Sequence, residues 1–193
     1  LGELEDGTDK PDDTSDAEPI AWIPCTENAD CLTGWCVETA DGRTCTRTCI
    51  DSCPQGWYCG AVQNTGTDVT YICLPRFVNL CKPCQTDTDC GGTTEAGTAS
   101  CVSYGPSGSF CGADCSLDDC PAGYLCQEGQ CVLEAGECEC TWKAVKDAAT
   151  TFCEAVNELG GCQGTRSCLD GQLSVCDAQT PSAEVCDGKD NDC

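Results

Sequence analysis

Cys111-Gly-Ala-Asp-Cys115-Ser-Leu-Asp-Asp-Cys120-Pro-Ala-Gly-Tyr-Leu-Cys126 repeats a frame met earlier as Cys45-Thr-Arg-Thr-Cys49-Ile-Asp-Ser-Cys53-Pro-Gln-Gly-Trp-Tyr-Cys59. Both copies close on Cys-Pro-x-Gly-aromatic-x-Cys, with intervals of three, four and five residues against three, three and five. Upstream the register continues. Cys25 to Cys31 and Cys84 to Cys90 each enclose five residues, with Asp30 and Asp89 just before the second cysteine. So many shared intervals mark an internal repeat, and a repeat governs the fold that follows.

Cysteine fills 25 of 193 positions, a density at which a disulfide scaffold is the first reading. A zinc protein is the competing one, but the chain has no histidine and no tandem CxxC pairs. The sequence starts at Leu1, contains no methionine and has no apolar run long enough for a signal peptide or a membrane span. It reads as an exported chain whose signal has been removed, secreted or held at a cell surface, where thiols oxidise. Large apolar side chains are few, with four Trp, four Tyr and three Phe. Modules this poor in hydrocarbon cannot offset chain entropy by burial alone. Bridges contributing about 2–4 kcal/mol each would supply what the core lacks.

The expected fold class is therefore a set of small disulfide-rich modules, loop-rich with short β-ribbons, plus one amphipathic helix near 141–159. Residues 1–24 form an acidic N-terminal tail. Module one, 25–81, places Cys25, Cys31, Cys36, Cys45, Cys49, Cys53, Cys59 and Cys73 in bridges. Asp41-Gly42 reads there as a hairpin turn, Asn64-Thr-Gly66 as another, and Val69-Thr-Tyr-Ile72 as a strand. Module two, 82–135, uses Cys84, Cys90, Cys101, Cys111, Cys115, Cys120, Cys126 and Cys131, with Gly91-Gly92 and Gly105-Pro-Ser-Gly108 in loops. Cys81-Lys-Pro-Cys84 between them reads as structural rather than redox-active, since nothing around it suggests a thioredoxin-like strand and helix. In module three, 136–193, Trp142, Val145, Ala149, Phe152, Cys153, Val156 and Leu159 follow helical spacing, with Thr141 as cap and Gly160-Gly161 as stop. Asp170-Gly171 reads as a turn and Leu173–Cys176 as a strand, with Cys153, Cys162, Cys168, Cys176, Cys186 and Cys193 expected in bridges.

One motif carries chemistry. The segment Glu184-Val-Cys186-Asp187-Gly188-Lys-Asp190-Asn-Asp192-Cys193 alternates acids on a tight loop, the pattern that turns carboxylates toward a hard cation. Together with Cys153-Glu-Ala-Val-Asn157, Gly161-Cys-Gln-Gly-Thr-Arg-Ser-Cys168 and Cys176-Asp-Ala-Gln-Thr-Pro181, it resembles cysteine-rich exported proteins of myxobacteria and related bacteria. Those proteins carry the MopE-type metal-binding motif, CDGxDNDC. The resemblance covers roughly the last 55 residues; the earlier modules are similar to the same proteins' cysteine repeats more loosely. Family members continue past this point with Asp-Gly and a later acid, so the resemblance implies a metal set of Asp187, Asp190 and Asp192 only. Calcium is the implied cofactor. Haem, zinc and copper are not expected, copper because the chain has neither His nor Met to ligate it. The alternative is a polar turn clipped by a Cys186–Cys193 bridge and holding no ion.

Net charge is −24, so nucleic acid and anionic lipid would repel the chain, while divalent cations or other surface proteins fit as partners. Without histidine the commonest general base is missing, and no carboxylate pair is set apart in an apolar stretch. The expectation is a non-enzymatic secreted bacterial structural protein, self-associating into an extracellular fibre or filament or a surface assembly, with calcium assisting. The alternative is an adhesin or ligand-binding module of a larger protein, with Trp35 and Trp57 at its contacts or covering disulfides instead. An odd cysteine count leaves at least one thiol without an intrachain partner.

Overall fold

A computed structural model describes residues 22–63, 68–94, 97–186, 188 and 190–193. The acidic tail through Ala21 and the expected turn at Asn64–Gly66 lie outside the described residues. Within them twelve disulfides, short antiparallel strand pairs and a single α-helical turn make a loop-rich, disulfide-held fold. No helix among the described residues is long and apolar enough to cross a membrane.

The repeat is finer than its sequence frame. Each copy contains two four-cysteine units, so the chain has four, and each pairs its first cysteine with its third and its second with its fourth. Unit one holds Cys25–Cys36 and Cys31–Cys45; unit two, Cys49–Cys59 and Cys53–Cys73. Unit three holds Cys84–Cys101 and Cys90–Cys111; unit four, Cys115–Cys126 and Cys120–Cys131. The quoted frames Cys45–Cys59 and Cys111–Cys126 straddle the boundary between two units.

Every unit is built on a hairpin. The strands are β1 (Cys36–Thr39) with β2 (Gly42–Cys45), and β3 (Trp57–Gln63) with β4 (Val69–Pro75). A two-residue pair, β5 (Thr93–Thr94) and β6 (Gly97–Thr98), fills the long interval of unit three. Then come β7 (Cys101–Ser103) with β8 (Ser109–Cys111), and β9 (Tyr124–Gln127) with β10 (Gln130–Leu133). In all four hairpins the third and fourth cysteines stand directly opposite: Cys36↔Cys45, Cys59↔Cys73, Cys101↔Cys111 and Cys126↔Cys131. Directly opposed Cβ atoms are about 4.5–5.5 Å apart, wider than the spacing of about 3.8 Å a bridge prefers. Each cysteine instead bonds back to the segment before the hairpin, and both bonds lie on one face of the ribbon.

The backbone repeats as faithfully as the sulfur. The residue before the first cysteine bridges the residue before the fourth: Pro24↔Thr44, Thr48↔Ile72, Pro83↔Phe110, Asp114↔Gln130. On either side, the N–H of each of those two cysteines reaches the carbonyl two residues before the other. In unit one these are Cys25 N–H to Arg43 O, 3.2 Å, and Cys45 N–H to Ile23 O, 2.8 Å. In unit four they are Cys115 N–H to Gly129 O, 3.2 Å, and Cys131 N–H to Ala113 O, 2.7 Å. Inter-cysteine lengths vary freely because only these closure points are fixed.

The acids flagged by their position have a backbone role. In unit one Asp30 Oδ2 accepts from the N–H groups of Thr26 (2.7 Å) and Glu27 (3.0 Å). In unit three Asp89 Oδ2 accepts from Gln85 and Thr86, both at 2.9 Å. Each caps a short 3-10 turn, Asn28–Asp30 and Asp87–Cys90. Among buried apolar side chains cysteines outnumber all others together, with Ile72, Leu80, Phe110 and Val132 the main hydrocarbon.

Leu80 packs with Ala113, Cys131, Phe77 and Tyr124, laying the segment after β4 onto unit four. Cys81 and Cys84 do not bond to each other; Cys81 reaches Cys138 and brackets units three and four. Trp57 packs against Trp22 with ring centres 4.1 Å apart and the rings tilted by 58°. The expected turn at Asp41-Gly42 sits one residue earlier, at Ala40-Asp41, and Gly42 opens β2 opposite Thr39.

The last unit departs from expectation. Thr141 does cap a helix, its Oγ1 accepting from Ala144 N–H at 3.1 Å, but α1 is only Trp142–Lys146. Ala148 then takes φ 49°, and Thr150–Val156 is strand β11, paired with β12 (Gly161–Leu169), which pairs with β13 (Gln172–Leu173). The helical stripe expected over 141–159 is thus a helical turn followed by a strand. In β11 alternation puts Thr151 and Cys153 inside, while Phe152 (47% exposed) and Val156 (60%) face outward. β-Branched Thr150 and Thr151 and the Cys153–Cys176 bridge favour the extended form over a helix whose apolar stripe has nothing to pack on. Gly161 opens β12 rather than stopping a helix, and strand at Leu173–Cys176 is confined to Leu173. Cys140–Cys168 and Cys162–Cys193 complete the unit.

Candidate functional site

The C-terminal acidic loop is held at several points before any ion is considered. Cys193 is bonded to Cys162 on β12, Cα to Cα 5.1 Å. Asn157 Nδ2 donates to Pro181 O at 2.7 Å, and Ser182 N–H to Asn191 O at 2.8 Å, closing the loop on itself. Glu184 Oε1 accepts from the N–H groups of Asn191 and Asp192. The loop rests on the β11–β12 turn so closely that a Cβ on Gly160 would lie 1.9 Å from Asp192 O.

This arrangement gathers Glu184, Asp190 and Asp192, with carboxylate oxygens all within 4.8 Å of one another. Lost hydration, then the hydrogen bond the protonated Asp192 carboxyl donates to Asp190 and the charges of Glu184 and Asp190, raise the Asp192 carboxyl above its ordinary value. Of the expected set Asp187, Asp190 and Asp192, the structure brings the last two together; Asp187 lies outside the described residues. Glu184 is the member sequence reasoning missed. A loop template that starts at Asp190 looks forward along the chain, whereas the fold supplies its third carboxylate from six residues behind. The donors are all oxygen, which suits a hard cation such as calcium and not a soft one. Three carboxylates, one with an oxygen shared by two N–H groups, are part of the six to eight oxygens calcium takes.

Cys186 is unpaired and exposed. It was expected in a bridge, and a clip to Cys193 was the alternative for this loop; both are corrected, because Cys193 is committed to Cys162. Conversely Cys81, Cys138 and Cys140, given no partners from spacing, are all bridged. The close sulfur triplets Cys25/Cys31/Cys36, Cys49/Cys53/Cys73, Cys84/Cys90/Cys111 and Cys115/Cys120/Cys131 are the places where the two disulfides of each unit pass one another. Bonded sulfurs are not the thiolates a zinc site needs.

Several carboxylates elsewhere have structural partners. Backbone and side-chain hydrogen bonds from Thr26 hold Asp30 below the usual range, backbone bonds from Gln85 and Thr86 do so for Asp89, and Ser116 does so for Asp114. A groove of about 600 Å³ runs between β7 and the β9–β10 hairpin, walled by Val102, Tyr104, Val132 and Leu133 with Glu128 at its edge. Comparison with protein-family models, with curated proteins and with solved structures finds no match to this chain.

Proposed function

We propose that this chain is a non-enzymatic structural protein of a bacterial exterior, secreted or displayed at the surface, and that it self-associates into a fibre or surface assembly. The observation that carries this reading is the four-fold recurrence of one disulfide-stapled, backbone-closed unit, capped by an aspartate in units one and three. Such a unit resists unfolding and proteolysis without a large core, which suits a protein that endures and connects. Calcium assists by neutralising Glu184, Asp190 and Asp192, and the loop's resemblance to the MopE-type motif of exported myxobacterial proteins points the same way. The groove beside β7 favours a second reading, a ligand-binding or adhesin module. Negative-stain imaging with and without calcium separates them: regular assemblies are expected, and dispersed monomers under both conditions would remove the fibre reading. A calcium titration without heat and without a change in melting would remove the cation from it.

A further inference from the structure

Among the described residues no disulfide joins residues 22–80 to residues 81–193, although each part is densely cross-linked within itself. Near the connecting segment the contact is apolar, with Leu80 and Phe77 on unit four, reinforced by Arg76 and Gly56 N–H both meeting Asp118 Oδ2 (3.7 and 3.3 Å). At the far end it is ionic. Glu38 on β1 meets Lys143 Nζ at 3.6 Å and also Lys146 Nζ, both carried by α1. Lys143 N–H donates to Ala40 O in the β1–β2 turn at 3.1 Å. Behind α1, Asp147 meets Lys143 (2.6 Å) and Lys82 (3.1 Å), and just beyond it Ser109 N–H donates to Thr151 Oγ1 at 2.7 Å, an uncharged tie to unit three that screening leaves in place.

We propose that this end is an ionic latch: α1 docks on the first hairpin through Glu38 and parts from it when the charges are screened, with every disulfide intact. The groups facing Glu38 are Lys143 and Lys146 from α1 and, across the hairpin, Arg43, whose guanidinium bonds instead to Thr26 O and Cys36 O. Lys146 also lies over the Trp142 ring, 5.3 Å from its centre, so it keeps a resting place when released. Apolar packing at one end and screened charge at the other make a hinge and a catch. Salt weakens exposed pairs within a Debye length and leaves disulfides and buried contacts in place.

The Lys143 amide reports the latch directly, through hydrogen exchange followed by NMR on the oxidised chain. Its exchange is expected to quicken about two- to fivefold as salt rises from about 20 mM to about 500 mM, the range that exposed ion pairs supply. The Cys45 and Cys131 amides inside units one and four should not respond, and they also certify folding of each variant. Glu38→Gln should exchange fast at low salt and lose the salt dependence, and Lys146→Gln should fall between it and the parent. A Lys143 amide indifferent to both salt and Glu38→Gln would overturn the latch, as would an equal response of the Cys45 amide.

Discussion

The four-cysteine units and the last unit use the same bond to different ends. In the units each pair of bridges spans 10 to 21 positions and staples one hairpin to the segment just before it. In the last unit the bridges span 23 to 31 positions and join elements of unlike kind, such as β12 to the chain's final residue. The first design tolerates loops of varied length because its closure is a pair of backbone hydrogen bonds and two crossing disulfides. The second depends on close backbone approach, with the acidic loop pressed against Gly160. Local stapling gives independence between units; distant stapling gives a single position for a loop.

The largest expected effect tests that independence. Replacing Cys53 and Cys73 together by serine should cost about 2–5 kcal/mol and raise amide exchange across β3 and β4. Amides of units three and four should keep their protection; if they lose it alongside, the units do not stand alone. Next comes the docked loop. Gly160→Ala forces a Cβ into the space of Asp192 O and should cost about 1–3 kcal/mol, seen as a lower melting temperature with exchange rising only in the last unit.

A titration followed at the carboxyl carbons should move the two regions in opposite senses. Asp30 and Asp89 are lowered by their backbone caps, so the stability they confer is complete above the ordinary carboxylate range and lost as pH falls through their folded values. Asp192 is raised, so its ionisation works against the fold: its contribution is present below the ordinary range and lost as pH rises through its folded value. Calcium added at neutral pH should remove that upward shift; an Asp192 titrating below Asp89 without calcium would contradict the crowding of three acids. The smallest effect is the most discriminating for β11. Phe152→Ala should change stability by within about 0.5 kcal/mol, as for an exposed strand residue, where a buried helical position would cost about 3–5 kcal/mol.

What could be read from the chain follows the same division. Cysteine intervals carry the units because a bridge between near neighbours leaves a short, repeated signature; Cys-Pro-x-Gly-aromatic-x-Cys and the aspartate before the second cysteine were both visible. Pairing was not, since opposed cysteines look like natural partners until the hairpin sets them too far apart. In the last unit the 3–4 spacing of Trp142, Val145, Ala149, Phe152 and Val156 imitates a helix because a helical turn and a strand are separated only by the three-residue turn 147–149. Only the Thr150-Thr151 pair hints at the change. The acidic loop was half legible. Asp190 and Asp192 announce themselves by alternation, but Glu184 enters through the loop closure at Ser182 and Asn191, which no spacing encodes.

Mapping the disulfides of the native protein by non-reducing digestion and mass spectrometry tests the central claim most directly. The expected result is first-to-third and second-to-fourth pairing in all four units, for example Cys25–Cys36 with Cys31–Cys45, and Cys186 alone alkylated without reduction. Peptides joining opposed cysteines such as Cys59 and Cys73, or a large complement of free thiols, would contradict it.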